Sequence, residues 1–317
     1  MHILSLFAFA AFFPIASEDL LMRETQEVAL TCSLWSNSPE AQQSCVENIL
    51  IEYEIDPASI RAKIARRYLS HFLNAFNAYI VSESVAPQCH ATVERLCKKM
   101  GIQKPIIALS PLLNNAAARS LPGMPSLIVL GAAYMSKLSD AECEAVIAHE
   151  LGHIKENHFT QFVATSTLLT AGVIIPFNIY CRLWLHTKYS NPLVIREGLL
   201  NFARNLVKDT SVITAATVAV HLSVLFLLMK ISRADEYAAD KQAAETLGSI
   251  EALVSWLERE NDATHLIAQW SAESANPENA WYTRLQYTAR VWLTKNFITH
   301  PLNEERIAAL RAAESAN

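Results

Sequence analysis

Residues 145–158 read AVIAHELGHIKENH, and the architecture of the chain is organised around this stretch. Ser139 followed by Glu142 forms a capping box that opens a helix through it. Within that helix His149, Glu150 and His153 make an H-E-x-x-H pattern. Spacing of i, i+4 puts both imidazoles on one helical face, about 6 Å apart at Cβ, where two nitrogens can converge on one cation. Glu150 is offset from His149 by about 100° of helical turn, beside the cation rather than on it, free to take a proton from bound water. Zinc lowers the pKa of such a water toward neutrality. Taken alone, the pattern also fits a surface helix whose histidines face solvent.

A hydrolytic metal site needs a third protein ligand and leaves one position open. Residues 232–240, SRADEYAAD, supply a candidate. Glu236 and Asp240 are again i, i+4 on a helix. Glu236 would bind the metal, and Asp240 could hydrogen-bond the distal nitrogen of a ligating histidine, fixing its tautomer.

Between the two motifs lie two uncharged apolar runs of 20 residues, Phe162–Cys181 and Thr210–Met229. About 20 such residues cross a hydrocarbon core as a helix. A buried helical hairpin in a soluble core is the alternative; Pro176, Asn178 and His221 interrupt the pattern. The connector carries Arg182, Lys188, Arg196, Arg204 and Lys208 against Glu197 and Asp209, which by the positive-inside rule places it in the cytoplasm and the flanking segments outside. The N-terminal MHILSLFAFAAFFPIA agrees, as a cleaved signal segment or an uncleaved anchor. Hydrophobic residues make up 51% of the 317 and charged residues 18%, consistent with membrane contact, and a net charge of -5 argues against nucleic acid as a partner. The 7 glycines favour a mostly helical chain.

Residues 18–103 read as helical. One helix starts at Asp56-Pro57, with Ile60, Ile64, Tyr68, Phe72, Phe76 and Ile80 as its core stripe; another runs from Gln88 to Met100 and stops at Gly101. Six cysteines without a C-x-x-C pair exclude a disulfide scaffold or zinc ribbon. Cys89 and Cys97 are roughly 12 Å apart along one helix, so bridges from Cys32 or Cys45 to that helix, or Cys32 to Cys45, stay open. Cys143 and Cys181 read as apolar fillers. Pro105–Leu109 and Ser126–Leu130 read as strands.

Together these pieces (SLIVLG, LSDAECEAVIAHELGHIKENH, an apolar hairpin, SRADEYAAD and THPLNEERIAAL) resemble the membrane zinc metallopeptidases of the HtpX and CAAX prenyl protease type, metallopeptidase family forty-eight of the gluzincin group, over roughly residues 104–312. The resemblance implies a mainly α (α+β) fold: a zincin-like catalytic domain with a small β-sheet, the H-E-x-x-H helix and a transmembrane helical hairpin. It implies one zinc per chain held by His149, His153 and Glu236, with Glu150 as general base and acid and Asp240 behind the ligands. His300, in the His-Pro motif, would stabilise the oxyanion; here Leu302 follows where a second proline is common. Asn115, adjacent to Asn114, matches the asparagine ahead of an edge strand along which extended substrate lies.

The expected organisation is a signal segment or anchor over 1–17, a helical region over 18–103, catalytic parts over 104–161 and 230–317, and the membrane hairpin over 162–229. The activity read from it is zinc-dependent endoproteolysis of membrane-associated or exported proteins. Polypeptide would bind as a strand along Ser126–Leu130, the lipid bilayer would be a partner, and the catalytic domain would lie on the extracytoplasmic side. The alternative is a non-catalytic membrane scaffold that keeps a zinc site. A prenyl-protein protease needs more spans than this chain supplies. His71, His90, His158, His186 and His265 have no ligand-like partners in sequence. His158 lies about 140° round from His153 on a continuous helix and would point away. His221 is read as bonding a backbone carbonyl, and Trp256, Trp270, Trp281 and Trp292 as packing or interface anchors.

Overall fold

The structure is a computed structural model that describes residues 39–190, 199–260, 264–297 and 300–315. The N-terminal apolar segment and Cys32 lie outside the described residues, as does the Cys45 side chain. The contacts divide the chain into two compact units.

The first unit takes the described residues up to Glu94 with Lys104–Ala117 and Leu127–Ser139. Helix α1 (Pro39–Glu52) and helix α2 (Ile60–Ala75) are joined by a bidentate ion pair, Arg66 to Glu47, at 2.7 Å. Ser59 caps α2, accepting from the Ala62 amide at 3.0 Å. The buried face of α2 is Ala62, Ala65, Leu69 and Leu73, with Tyr68 beside it; Ile60 and Ile64 are exposed. This corrects the expected stripe. A strict four-residue repeat drifts by about 40° per step on a helix of 3.6 residues per turn, so it cannot stay on one face for five steps.

Strand β1 (Tyr79–Ile80) precedes helix α3 (Pro87–Met100), which Gly101 ends in a left-handed conformation (φ 70°), as expected. Strands β2 (Ile106–Ser110), β3 (Ala116–Arg119) and β4 (Leu127–Gly131) complete a sheet ordered β1-β2-β4-β3, with a short helix α4 (Ala132–Met135) after it. β2 and β4 are parallel, Ala108 opposite Val129, and β1 is antiparallel to β2. β4 is therefore an interior strand, buried along its length, and the edges are β1 and β3. The expectation that Ser126–Leu130 forms the edge is corrected. An unbroken Leu-Ile-Val-Leu run suits a strand covered on both faces, whereas alternating burial marks β3. Gly131 ends β4 because the chain crosses it: a Cβ there would lie 1.9 Å from the Leu113 carbonyl oxygen.

The second unit holds Arg95–Gln103, Ala118–Ser126 and everything from Asp140. Helix α5 (Asp140–Lys155) carries H-E-x-x-H and is buried on all sides from Ala145 to Gly152, which overturns the surface-helix alternative. Glu142 near its start is 1% exposed; it accepts from Ser255 at 2.8 Å and Arg259 at 3.1 Å, tying α5 to helix α9 (Glu251–Arg259). Helix α6 (His158–Leu169), a π-helical turn (Thr170–Ile174) and helix α7 (Ile175–Tyr189) run on continuously. The π turn makes room for Pro176, and Asn178 satisfies its amide on the Ile174 carbonyl at 2.7 Å.

Helix α8 (Leu199–Leu247) has 49 residues, roughly 70 Å, so the second apolar run and SRADEYAAD are one rod. Leu168, Tyr180, Leu183, Val212 and Val218 are all more than half exposed. Only 6% and 11% of the most apolar windows of the two long helices are buried. A soluble-core hairpin would hide these faces, so both helices are long, apolar and outward-facing enough to cross a membrane. His221 donates from Nδ1 to the Thr217 carbonyl at 2.7 Å, as expected. Lys188 and Tyr189 both bond Asp209, joining α7 to α8. Helices α10 (Thr264–Ala275), α11 (Trp281–Phe297) and α12 (Asn303–Ser315) follow.

Candidate metal centre

The site is built where α5 and α8 touch. Gly152 allows it: a Cβ there would stand 3.0 Å from the Ala239 oxygen, so only glycine lets the two backbones meet without a shift. That contact delivers His149 and His153 from α5 and Glu236 from α8 to one point. His149 Nε2 and His153 Nε2 are 3.1 Å apart, and Glu236 stands 3.4 Å from the first through Oε2 and 3.5 Å from the second through Oε1. Tetrahedral zinc with bonds of about 2.0–2.1 Å needs its ligand atoms about 3.3 Å apart, so the donor set fits that ion. All three come from the second unit.

His149 donates from Nδ1 to Asp240 Oδ1 at 2.9 Å, which turns its other nitrogen toward His153 and Glu236. Burial works against a charge on His149, but the hydrogen bonds to Asp240 and Glu236 outweigh it and raise its pKa to about 9. A cation entering the site would displace that proton. Asp240 is in turn gripped by Arg306, whose Nε and Nη2 reach its two oxygens at 2.7 and 2.6 Å. The Nη1 of Arg306 lies 3.4 Å from Glu236 Oε2, and Trp256 packs under both Arg306 and His149 at 5.2 and 5.4 Å. Trp256 is thus a packing residue, as expected, and the one that floors the site.

His300 is brought in from the far end of the chain. Its Nδ1 sits 2.9 Å from Glu236 Oε1 while the side chain stays 58% exposed, at the mouth of the site. Asn303 anchors the segment by donating to the Leu257 carbonyl at 2.9 Å, and Pro301 and Leu302 are buried. Glu150 is 7% exposed, and its carboxylate acts electrostatically on Arg306. Asn115 belongs to the other unit. It lies directly ahead of β3, its carbonyl accepting from the Gly131 amide at 2.9 Å.

Three residues were missed in the sequence. Gly152 and Arg306 stand inside quoted motifs, but only a partner helix shows what they do. The expectation that His158 points away is corrected: Asn157 adopts φ 56°, α5 ends and α6 restarts, and His158 Nδ1 lies 2.9 Å from His153 Nδ1.

The sequence profile of peptidase family M48 matches residues 83–314. A protease HtpX homolog from Pyrococcus furiosus is 31% identical over 242 residues, covering 75% of this chain and 78% of that one. One from Streptomyces coelicolor is 27% identical over 240 residues, covering 75% and 74%. Among solved structures, the crystal structure of S. mikatae Ste24p overlaps 93% of this chain and 67% of its own at 18% identity, with a TM-score of 0.44. The family and these relatives mark the chain as a metalloprotease, a hydrolase acting on polypeptides. The chain belongs to peptidase family M48.

Proposed function

We propose that this metalloprotease is a membrane-anchored zinc endopeptidase, one zinc per chain, that cleaves membrane-associated or exported proteins. The observation that carries the proposal is the triangle of His149, His153 and Glu236 donor atoms at 3.1–3.5 Å, with Glu150 next to His149 in the chain on α5. A zinc ion held there would polarise the scissile carbonyl and acidify an adjacent water. Glu150 takes the proton from that water and hands it to the leaving amine. Asp240, clamped by Arg306, keeps His149 in the ligating tautomer. His300 at the mouth donates to the carbonyl oxygen as it becomes negative. Substrate adds as an extended strand to a sheet edge.

The outward apolar faces of the two long helices support membrane anchoring. The basic connector supports a cytoplasmic loop and an extracytoplasmic catalytic domain. A scaffold with structural zinc would close its metal with a fourth protein ligand; among the described residues three converge.

Metal analysis paired with casein digestion tests the reading. Wild type should carry about one zinc, digest casein and lose activity to a chelator. Glu150→Gln should keep the zinc and lose digestion, by at least about 100-fold. Zinc-free wild-type protein, or full activity in Glu150→Gln, would overturn it.

A further inference from the structure

Among the described residues, His149 and His158 are the buried histidines, and only His149 is accounted for above. His158 opens α6, and its ring stands edge-on to that of His153, centroids 5.0 Å apart and planes at 75°. The two Nδ1 atoms are 2.9 Å apart, and on the far side His158 Nε2 faces Asp235 Oδ1 at 3.8 Å.

Two imidazole nitrogens at hydrogen-bond distance share one proton, so one donates and the other accepts. His153 presents Nε2 to His149 and Glu236. To ligate a cation there that nitrogen must be bare, which puts the ring proton on Nδ1. His153 therefore donates and His158 Nδ1 accepts. The His158 proton is then on Nε2, the nitrogen that faces the Asp235 carboxylate. Every proton in the row has one place, and the order runs Asp235, His158, His153, cation. Both outer partners are held on long helices, His158 at the head of α6 and Asp235 on α8.

We infer that His158, with the Asp235 carboxylate 3.8 Å from its far nitrogen, is a positioning residue for the metal. It fixes His153 as the Nδ1–H tautomer and aims its Nε2 lone pair at the cation, the task Asp240 performs for His149. The left-handed turn at Asn157 makes this possible, because a continuous helix would carry His158 away. The inference rests on the metal-binding reading above.

The test is a chelator-competition titration of zinc on the full-length protein, with circular dichroism and a thermal melt of each metal-free variant. His158→Ala removes the acceptor and should weaken zinc binding by about 10–100-fold. His158→Asn, whose amide oxygen can occupy the place of Nδ1, should bind zinc close to wild type. Asp235→Ala should fall between the two. Wild-type affinity in His158→Ala overturns the inference, as does His158→Asn binding as weakly as His158→Ala when both melt like wild type. If His158→Ala does not fold, unaltered zinc affinity in Asp235→Ala overturns it instead. A wild type that binds no zinc would defeat the metal reading itself, a separate outcome.

Discussion

Gly152 and Ala239 meet backbone to backbone: a Cβ on Gly152 would lie 3.0 Å from the Ala239 oxygen and 3.1 Å from its Cα. Gly152 sits between Glu150 and His153, and Ala239 between Glu236 and Asp240. This close backbone contact of the two helices is therefore also the place where their functional side chains converge.

Gly152→Ala should force α5 and α8 apart by a few tenths of an ångström. Overpacking at such a contact costs about 1–3 kcal/mol, and the widened site should hold zinc less tightly. Urea unfolding and a chelator titration check both effects. Unchanged affinity and stability would mean that the helices have slack at this point.

Arg306 is the positive charge that two buried carboxylates share. Arg306→Met should destabilise the metal-free protein, by up to about 3–5 kcal/mol, because Asp240 loses both guanidinium bonds and keeps only His149 as a partner. Saturating zinc should recover part of that loss, since the cation binds only the folded chain and brings back positive charge. Asp240→Ala should instead weaken zinc about 10–100-fold. Denaturation curves with and without zinc separate the two.

His300 touches Glu236 yet stays mostly exposed. If it stabilises the reacting oxygen, His300→Ala should lower kcat by about 100-fold or more and leave zinc content at one per chain. A variant that loses zinc while keeping its residual turnover per bound metal would make His300 a support for Glu236 rather than a catalytic group.

Orientation is tested by cysteine labelling in a cysteine-free background. Reagent supplied from the cytosolic side should reach a cysteine introduced near Asn191 and not one near Asn276. The opposite pattern would put the catalytic domain in the cytoplasm.

The candidate metal ligands are legible in the sequence because their information is local. A spacing of four residues fixes two side chains on one helical face whatever surrounds the helix, so His149 with His153, and Glu236 with Asp240, could be paired by eye. His300 was reachable only through family resemblance, since nothing in its own neighbourhood points to Glu236, 64 positions earlier. Ile60 and Ile64 were misjudged for the reason given above, helical drift, and β4 was misplaced at an edge although its unbroken apolar run suits an interior strand. His158 defeats local reasoning differently. Its position follows from one backbone angle at Asn157, and no periodicity argument anticipates a helix that stops and restarts.

By itself, the sequence determined which residues could bind a cation and which segments are apolar enough to meet lipid. These follow from short-range geometry and from the transfer of apolar groups out of water, both of which are written in neighbouring residues. Tertiary structure alone decided that Gly152 is the contact point, that Arg306 neutralises Asp240, and that His158 turns back to His153. The first two depend on how close two distant backbones come, which is set by packing across helices; the third depends on the left-handed turn at Asn157, which helical periodicity does not foresee.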